Sequence, residues 1–264
     1  RLADGPSLGA AALLGAAIAL AALTRGEAIA LGVLLAAPLL WRGGEGSMGR
    51  RAALGVACLA SAALVLAPWA IRNATTFERP VLLSTNGDSV FAGANCESTY
   101  FGELIGAWDF ECFGGPVTGD EAQAALQYRE RGFTYASEHT GRIPVVVAAR
   151  LGRMLDVYRP WGQGGFFASQ EGRQVRFHRA GLVMYWALIP LAVGGVVLLR
   201  RRRRRVELLV LLAPFVLIVL VGAAVYGNTR FRTSAEPFLV ILAAIAIEAA
   251  AVALAARRSR TVAR

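Results

Sequence analysis

Charged residues stand against long apolar runs at three places, where a charge is costly unless it is paired or hydrated. Arg25 and Glu27 interrupt the first apolar stretch, Arg72 and Asn73 close the third, and Arg230, Arg232 and Glu236 precede the last. Arginine's planar fork of donors matches phosphate oxygens bidentately, so guanidinium groups gathered at one membrane face would suit a lipid-linked phosphate or pyrophosphate. Each could instead snorkel to lipid headgroups or pair with a nearby carboxylate. Arg150 and Arg153 add two more guanidinium groups on a separate amphipathic stretch.

Other chemistries find little footing. His139 and His178 are the only histidines, and neither His-x-x-x-His nor Cys-x-x-Cys spacing occurs, so no usual side-chain metal site can be read. No cofactor is evident; a divalent cation is compatible with the sequence, although nothing in this chain supports one. Gly87-Asp88-Ser89 lacks the Gly-x-Ser-x-Gly frame of a nucleophile elbow and reads as a turn. The 28 basic residues are all arginine, and without lysine there is no phosphate-binding P-loop. Asn73-Ala74-Thr75 fits a glycosylation triplet but abuts an apolar run.

The elements that must position these residues follow from segregation of apolar and basic side chains. The chain of 264 residues is 56% hydrophobic with mean hydropathy +0.50, yet carries a net charge of +10. That combination predicts an all-α polytopic membrane protein. Six segments are candidate spans: Leu8 to Leu23, Ala28 to Trp41, Ala52 to Ile71, Ala180 to Leu199, Val206 to Tyr226 and Pro237 to Ala256. A helix of ~20 residues covers roughly the 30 Å of a bilayer core, so the last four fit well and the first two are short. Leu8 to Leu23 is read as a true span and not as a cleaved signal, and Arg1 at the first position suggests that sequence upstream has been removed.

Cytoplasmic flanks retain arginine, which sets the orientation. Arg42, Arg50 and Arg51 follow the second span, six consecutive arginines from Arg200 to Arg205 follow the fourth, and Arg257, Arg258, Arg260 and Arg264 follow the sixth. By parity these groups share the cytoplasmic side of a plasma (inner) membrane, together with the C-terminus. The arginine run reads as a topogenic anchor, not as a nucleic-acid patch. Three units result: residues 1–71 with three spans, residues 72–179 as an extracytoplasmic α-rich cap, and residues 180–264 with three spans and a basic tail. Between Arg72 and Arg179, eleven arginines balance twelve acidic residues, which suits translocation.

Within the cap, Cys96 and Cys112 would close a disulfide in an oxidising compartment, and otherwise remain buried thiols. Asp120 to Glu138 predicts a solvated surface helix. Arg142 to Tyr158 predicts an amphipathic one, with Ile143, Val147, Leu151, Met154, Leu155 and Tyr158 on one side and Arg142, Arg150 and Arg153 on the other. It would either lie at the membrane surface with its arginines near lipid phosphate, or pack on the cap with its arginines solvated.

Several phrases together resemble the polytopic GT-C glycosyltransferases, closest to the bacterial proteins similar to dolichyl-phosphate-mannose protein mannosyltransferases of glycosyltransferase family 39. These are Leu23-Thr24-Arg25-Gly26-Glu27, Ala67-Pro68-Trp69-Ala70-Ile71-Arg72-Asn73, Ser84-Thr85-Asn86-Gly87, and Tyr226-Gly227-Asn228-Thr229-Arg230-Phe231-Arg232 through Ala235-Glu236-Pro237. The resemblance spans nearly the whole chain on short motifs. It implies transfer of a sugar from a polyprenyl-phosphate donor to an extracytoplasmic glycan, lipid or protein acceptor. It also implies that Arg25, Glu27, Arg230, Arg232 and Glu236 line the donor cavity, and that the catalytic acid lies in an earlier loop, making this chain a C-terminal part. Gly26 stands where the family often has proline. A transporter or lipid flippase would place broken spans and binding groups at the midplane, often with internal repeats, and neither feature is seen. A non-catalytic, membrane-anchored binding protein is the remaining alternative.

Overall fold

Alanine- and leucine-rich runs are strong helix formers, and side-chain caps mark where several of the helices begin. In the computed structural model, which describes residues 7–43, 47–162, 172 and 174–262, Ser7 accepts the Ala10 backbone N–H at 3.1 Å to open α1 (Leu8–Thr24), and Ser47 does the same for Arg50 at 3.2 Å to open α3 (Met48–Thr76). Between them a 3-10 turn (Gly26–Ala30) and a π turn (Gly32–Ala36) lead into α2 (Ala37–Gly43). The chain continues through α4 (Asn86–Ala94), α5 (Glu97–Tyr100), α6 (Glu121–Glu138) and α7 (Ile143–Met154). It ends with α8 (Val175–Arg201), α9 (Arg205–Ala224), α10 (Thr229–Arg232) and α11 (Glu236–Val262). No strand occurs among the described residues.

Four helices are long and apolar enough to cross a membrane: α3, α8, α9 and Glu236–Ser259 of α11. Their outward faces carry large exposed apolar side chains such as Leu59, Leu64, Val183 and Val240, a surface that suits lipid and not water. The protein therefore has the build of an integral membrane protein. α1 is apolar but only 17 residues long. The segment expected to span from Ala28 to Trp41 is helical but not one regular helix. Pro38 has no N–H to donate, and just before it the Ala37 N–H reaches five residues back to Gly32, which is the π turn.

Two close crossings hold the long helices in pairs. α1 packs along α3 with Gly15 against the backbone of Cys58, where a Cβ would stand 2.0 Å from the carbonyl oxygen. α8 packs along α11 in the same way, where a Cβ on Gly195 would stand 2.0 Å from the Leu242 carbonyl oxygen. α9 bridges the pairs, touching the 3-10 and π turns on one side and α8 and α11 on the other. Tyr185, Ala192, Leu199, Leu211, Leu239 and Leu242 form the apolar core of the α8, α9 and α11 group.

The polar segment between α3 and α8 folds on α4 and α6, and Cys96 and Cys112 lie at disulfide distance, with Cα atoms 5.8 Å apart. α6 starts on Asp120, whose carboxylate accepts the Gln123 N–H at 2.9 Å, and ends at Glu138, as its sequence predicts. α7 departs from expectation. Its arginine-bearing face is buried as well as its apolar one: Arg150 and Arg153 are 4% and 3% exposed beside Val146 and Ala149, while Met154, Leu151 and Leu155 pack with Ile218, Tyr226 and Phe231, and the first turn at Ile143 and Val145 is exposed.

Candidate functional site

The short helix α10 is the meeting point of distant elements. Asn228 caps it, accepting the Arg230 N–H at 2.8 Å, and the Gly227 N–H donates to Gly106 at 2.8 Å. A Cβ on Gly227 would lie 2.2 Å from the Arg150 carbonyl oxygen, so only glycine lets the chain pass this close to α7. Arg232 then reaches three elements. Its Nη1 donates to Asp156 Oδ2 at 2.8 Å, its Nε to Glu236 Oε1 at 2.9 Å, and its guanidinium lies 3.6 Å from the centre of the Tyr185 ring. Asp156 is fully buried and follows α7 in a left-handed conformation with φ 55°. One buried cation thus joins the end of α7, the middle of α8 and the start of α11, under two carboxylates.

Arg25 and Glu27 pair at 2.6 Å, half-buried, and the Arg25 guanidinium lies 5.5 Å from the Phe231 ring centre on α10. Arg230 is exposed; its Nη2 donates to Tyr226 Oη at 3.3 Å, and it has no carboxylate partner among the described residues. Arg72 donates to Asn73 Oδ1 at 3.0 Å and stacks near Trp69 and Phe77. Arg25, Glu27, Arg230, Arg232 and Glu236 all lie on or beside α10, while the contacts of Arg72 are with Asn73, Trp69 and Phe77.

Arg150 and Arg153 belong to the frame. Arg150 Nη1 donates to Ala223 and Ala224 at 3.1 and 3.3 Å, and its Nη2 to Ala94 and Asn95 Oδ1 at 2.7 and 2.9 Å. Arg153 donates through Nε to Ile105 at 2.6 Å and through Nη2 to the Glu103 carbonyl. Neither solvent nor a lipid phosphate faces them, contrary to both sequence expectations. The carbonyls at the ends of α4 and α9 lack intrahelical donors, and a buried guanidinium supplies them. Burial pulls both guanidinium groups below their ordinary pKa, and nearby Tyr100 and Tyr158, on Arg150 and Arg153 respectively, act against it.

A cavity of about 420 Å³ lies between α8 and α11, within the size range of ligand sites. Gln174, His178, Thr229, Arg232, Thr233 and Glu236 line its end nearest the helix N-termini. Leu182, Met184, Leu188, Leu239 and Val240 line the remainder. His178 Nε2 is buried there without a hydrogen-bond partner among the described residues. Sequence reasoning missed His178, Thr229, Thr233, Tyr185 and Asp156. Gln174, His178, Gly181, Tyr185 and Leu188 follow a helical i, i+3, i+4 spacing that would have put most of the α8 wall on one face. No group of three or more metal-ligating side chains occurs among the described residues.

Comparison with protein-family models, with curated proteins and with solved structures finds no match to this chain.

Proposed function

We propose that the chain forms the donor-lipid end of an integral membrane glycosyltransferase, which takes a sugar from a polyprenyl-phosphate carrier and passes it to a glycan, lipid or protein acceptor outside the cytoplasm. The observation that carries this reading is the amphiphilic cavity between two membrane-length helices, polar where the helices begin and apolar below. A polyprenyl tail fits the apolar wall. Arg232 is already compensated by Asp156 and Glu236, so in this reading it holds Glu236 in position and does not itself meet the phosphate. Arg230 follows Thr229 on α10 but is not part of the cavity wall, so in this reading the leaving phosphate projects from the cavity mouth to meet this cation, which has no carboxylate partner among the described residues, as the glycosidic bond breaks. The exposed part of Glu236, together with Thr229 and Thr233, would take sugar hydroxyls. Six spans, an outward cap made of residues 72–179 and an inward C-terminus in the plasma (inner) membrane complete the proposal.

The test is retention of a polyprenyl monophosphate by the purified chain in detergent, read by native mass spectrometry beside the unphosphorylated polyprenol. The reading expects the monophosphate to be held preferentially, and Arg230→Gln to weaken it roughly tenfold, the worth of one charge-assisted contact. Equal retention of alcohol and monophosphate would remove the proposal. Sidedness is checked by Glu103→Cys and Arg202→Cys with an impermeant maleimide on intact cells: labelling of the first alone is expected, and labelling of both at equal rate contradicts the topology.

A further inference from the structure

At the opposite ends of α8 and α11 from that cavity, two grooves flank one ridge of α9. Arg205, Leu208 and Leu212 are spaced i, i+3, i+7 along a single helix face and wall both grooves. The first groove, about 670 Å³, is completed by Val196, Arg200 and Arg203. The second, about 480 Å³, is completed by Leu34, Pro38 and Arg42 and continues down α9 past Ala213 to Val216. Each groove is therefore apolar along its length with arginine at one end, and Arg205 stands where the two ends meet.

Among the described residues the charge there is uncompensated. Arg42, Arg200, Arg203 and Arg205 are all exposed and form no salt bridge among them, and Glu207, in the first turn of α9, is taken by Arg204 at 2.6 Å. Trp41, exposed beside Arg42 with the Arg51 guanidinium 4.5 Å from its ring centre, has the build of an aromatic residue at headgroup level. The turn between α8 and α9 adds an independent sign. The Arg204 N–H bonds Leu199 at 2.9 Å and the Arg203 N–H bonds Arg200 at 3.1 Å, closing α8 with Arg203 at φ 55°. Glycine occupies that position of such a turn without steric cost. An arginine keeps it against local preference, with its side chain directed to the first groove.

We propose that this end of the bundle binds one diphosphatidyl lipid, whose two phosphodiesters are bridged by a glycerol. Arg205 sits between the phosphates, Arg200 and Arg203 take one, Arg42 takes the other, and the acyl chains divide between the two grooves. Two phosphates on one molecule match two adjoining grooves that share an arginine, whereas a lipid with one phosphate fills one groove and leaves half the arginines unpaired. The site requires neither a sugar donor nor the cavity between α8 and α11, so it stands or falls apart from the transferase reading.

The full chain, purified in detergent, is titrated with diphosphatidylglycerol or with phosphatidylglycerol at matched phosphate and read by native mass spectrometry. One diphosphatidylglycerol per chain is expected, preferred over phosphatidylglycerol. Arg42→Gln combined with Arg205→Gln should lower its affinity about thirtyfold, from two surface guanidinium groups. Arg203→Gly should lower it about fivefold while raising the thermal midpoint without lipid, because strain is relieved as a ligand is lost. Arg258→Gln, at the exposed end of α11, should change nothing. Binding of two phosphatidylglycerols as tightly as one diphosphatidylglycerol, an unaffected double variant, or an equal loss from Arg258→Gln would each overturn the proposal.

Discussion

Replacing Arg150 by methionine should cost this protein a large share of its stability, although nothing in the sequence marks the position as structural. The guanidinium is 4% exposed and makes four hydrogen bonds, to Ala223, Ala224, Ala94 and the Asn95 side chain. Three of these acceptors are carbonyls in the last turns of α4 and α9, where a cation also opposes the negative end of the helix dipole. Methionine fills much of the volume and removes the cost of burying a charge, but it leaves the acceptors without donors. Each orphaned buried acceptor costs about 1–3 kcal/mol, and the terms do not simply add. Four such acceptors, discounted for that non-additivity, put the loss at about 3–5 kcal/mol.

For a chain of this size, 1 kcal/mol shifts the midpoint by about 2–4 °C, so Arg150→Met should lower it by roughly 10 °C. The assay is thermal unfolding of the purified protein in detergent, followed by tryptophan fluorescence, since Trp108 packs against the Tyr226 ring at 6.5 Å beside this junction. Arg150→Lys keeps the charge but not the fork, and should fall between wild type and methionine. If the α7 arginines were solvated or merely beside lipid phosphate, both variants would lie within about 0.5 kcal/mol of wild type, as surface substitutions do. A midpoint shift below about 2 °C for Arg150→Met would refute the reasoning.

Asp120 accepts backbone N–H groups from Glu78 at 2.8 Å and Gln123 at 2.9 Å, which hold its carboxyl below the usual aspartate pKa. A depressed folded pKa contributes stability that is present above the unfolded value of about 4 and lost as pH falls through the folded one. Asp120→Ala should therefore lower the unfolding midpoint near pH 7 and lose that difference in strong acid; a constant difference across the titration would contradict it. Gly195→Ala should destabilise by about 1–3 kcal/mol in the same thermal assay, because its Cβ would meet the Leu242 carbonyl at 2.0 Å, while Gly194→Ala, facing only the Ala246 Cβ at 3.4 Å, should be tolerated. Removing the Cys96–Cys112 link by Cys96→Ser with Cys112→Ser should cost about 3 kcal/mol and expose residues 97–111 to limited proteolysis; an unchanged cleavage pattern would argue that the link is idle.

Helix positions were legible because the signals are local. Apolar runs with few breaks locate α3, α8, α9 and α11, and the acidic pair Asp120 and Glu121 at the head of a polar run locates α6 to within a residue. Irregularity from Ala28 to Trp41 was readable in principle, since Pro38 lacks a donor and glycine stands at 26 and 32. Counting spans put Arg25, Arg230, Arg232 and Glu236 on one membrane face, and only the family resemblance brought them to one site. What escaped is whatever depends on partners remote in sequence. Arg232 and Asp156 are 76 positions apart, and a fully buried aspartate has no local signature. Helical periodicity assigned the α7 arginines to the outside because arginine is hydrophilic. It could not register that carbonyls from two other helix ends would meet Arg150, or that those of Glu103 and Ile105 would meet Arg153.

The arginines of this fold divide by whether the protein has already met their charge. Arg150 and Arg153 are surrounded by carbonyl dipoles, and Arg232 is held between two carboxylates above a tyrosine ring, so the segment from α9 to α11 is fixed from both sides. Such buried groups are expensive to leave unpaired and are correspondingly poor partners for anything arriving from outside. Arg230 is different: it rides on α10, whose backbone is pinned by Asn228, Gly227 and Arg232, yet its own guanidinium faces outward with only a tyrosine hydroxyl beside it. A rigid backbone under an uncompensated cation lowers the ordering cost of binding an anion, because the entropy is already lost in folding. Anion selectivity at this end should therefore depend more on Arg230 than on the better-connected Arg232, whose removal would act through the frame.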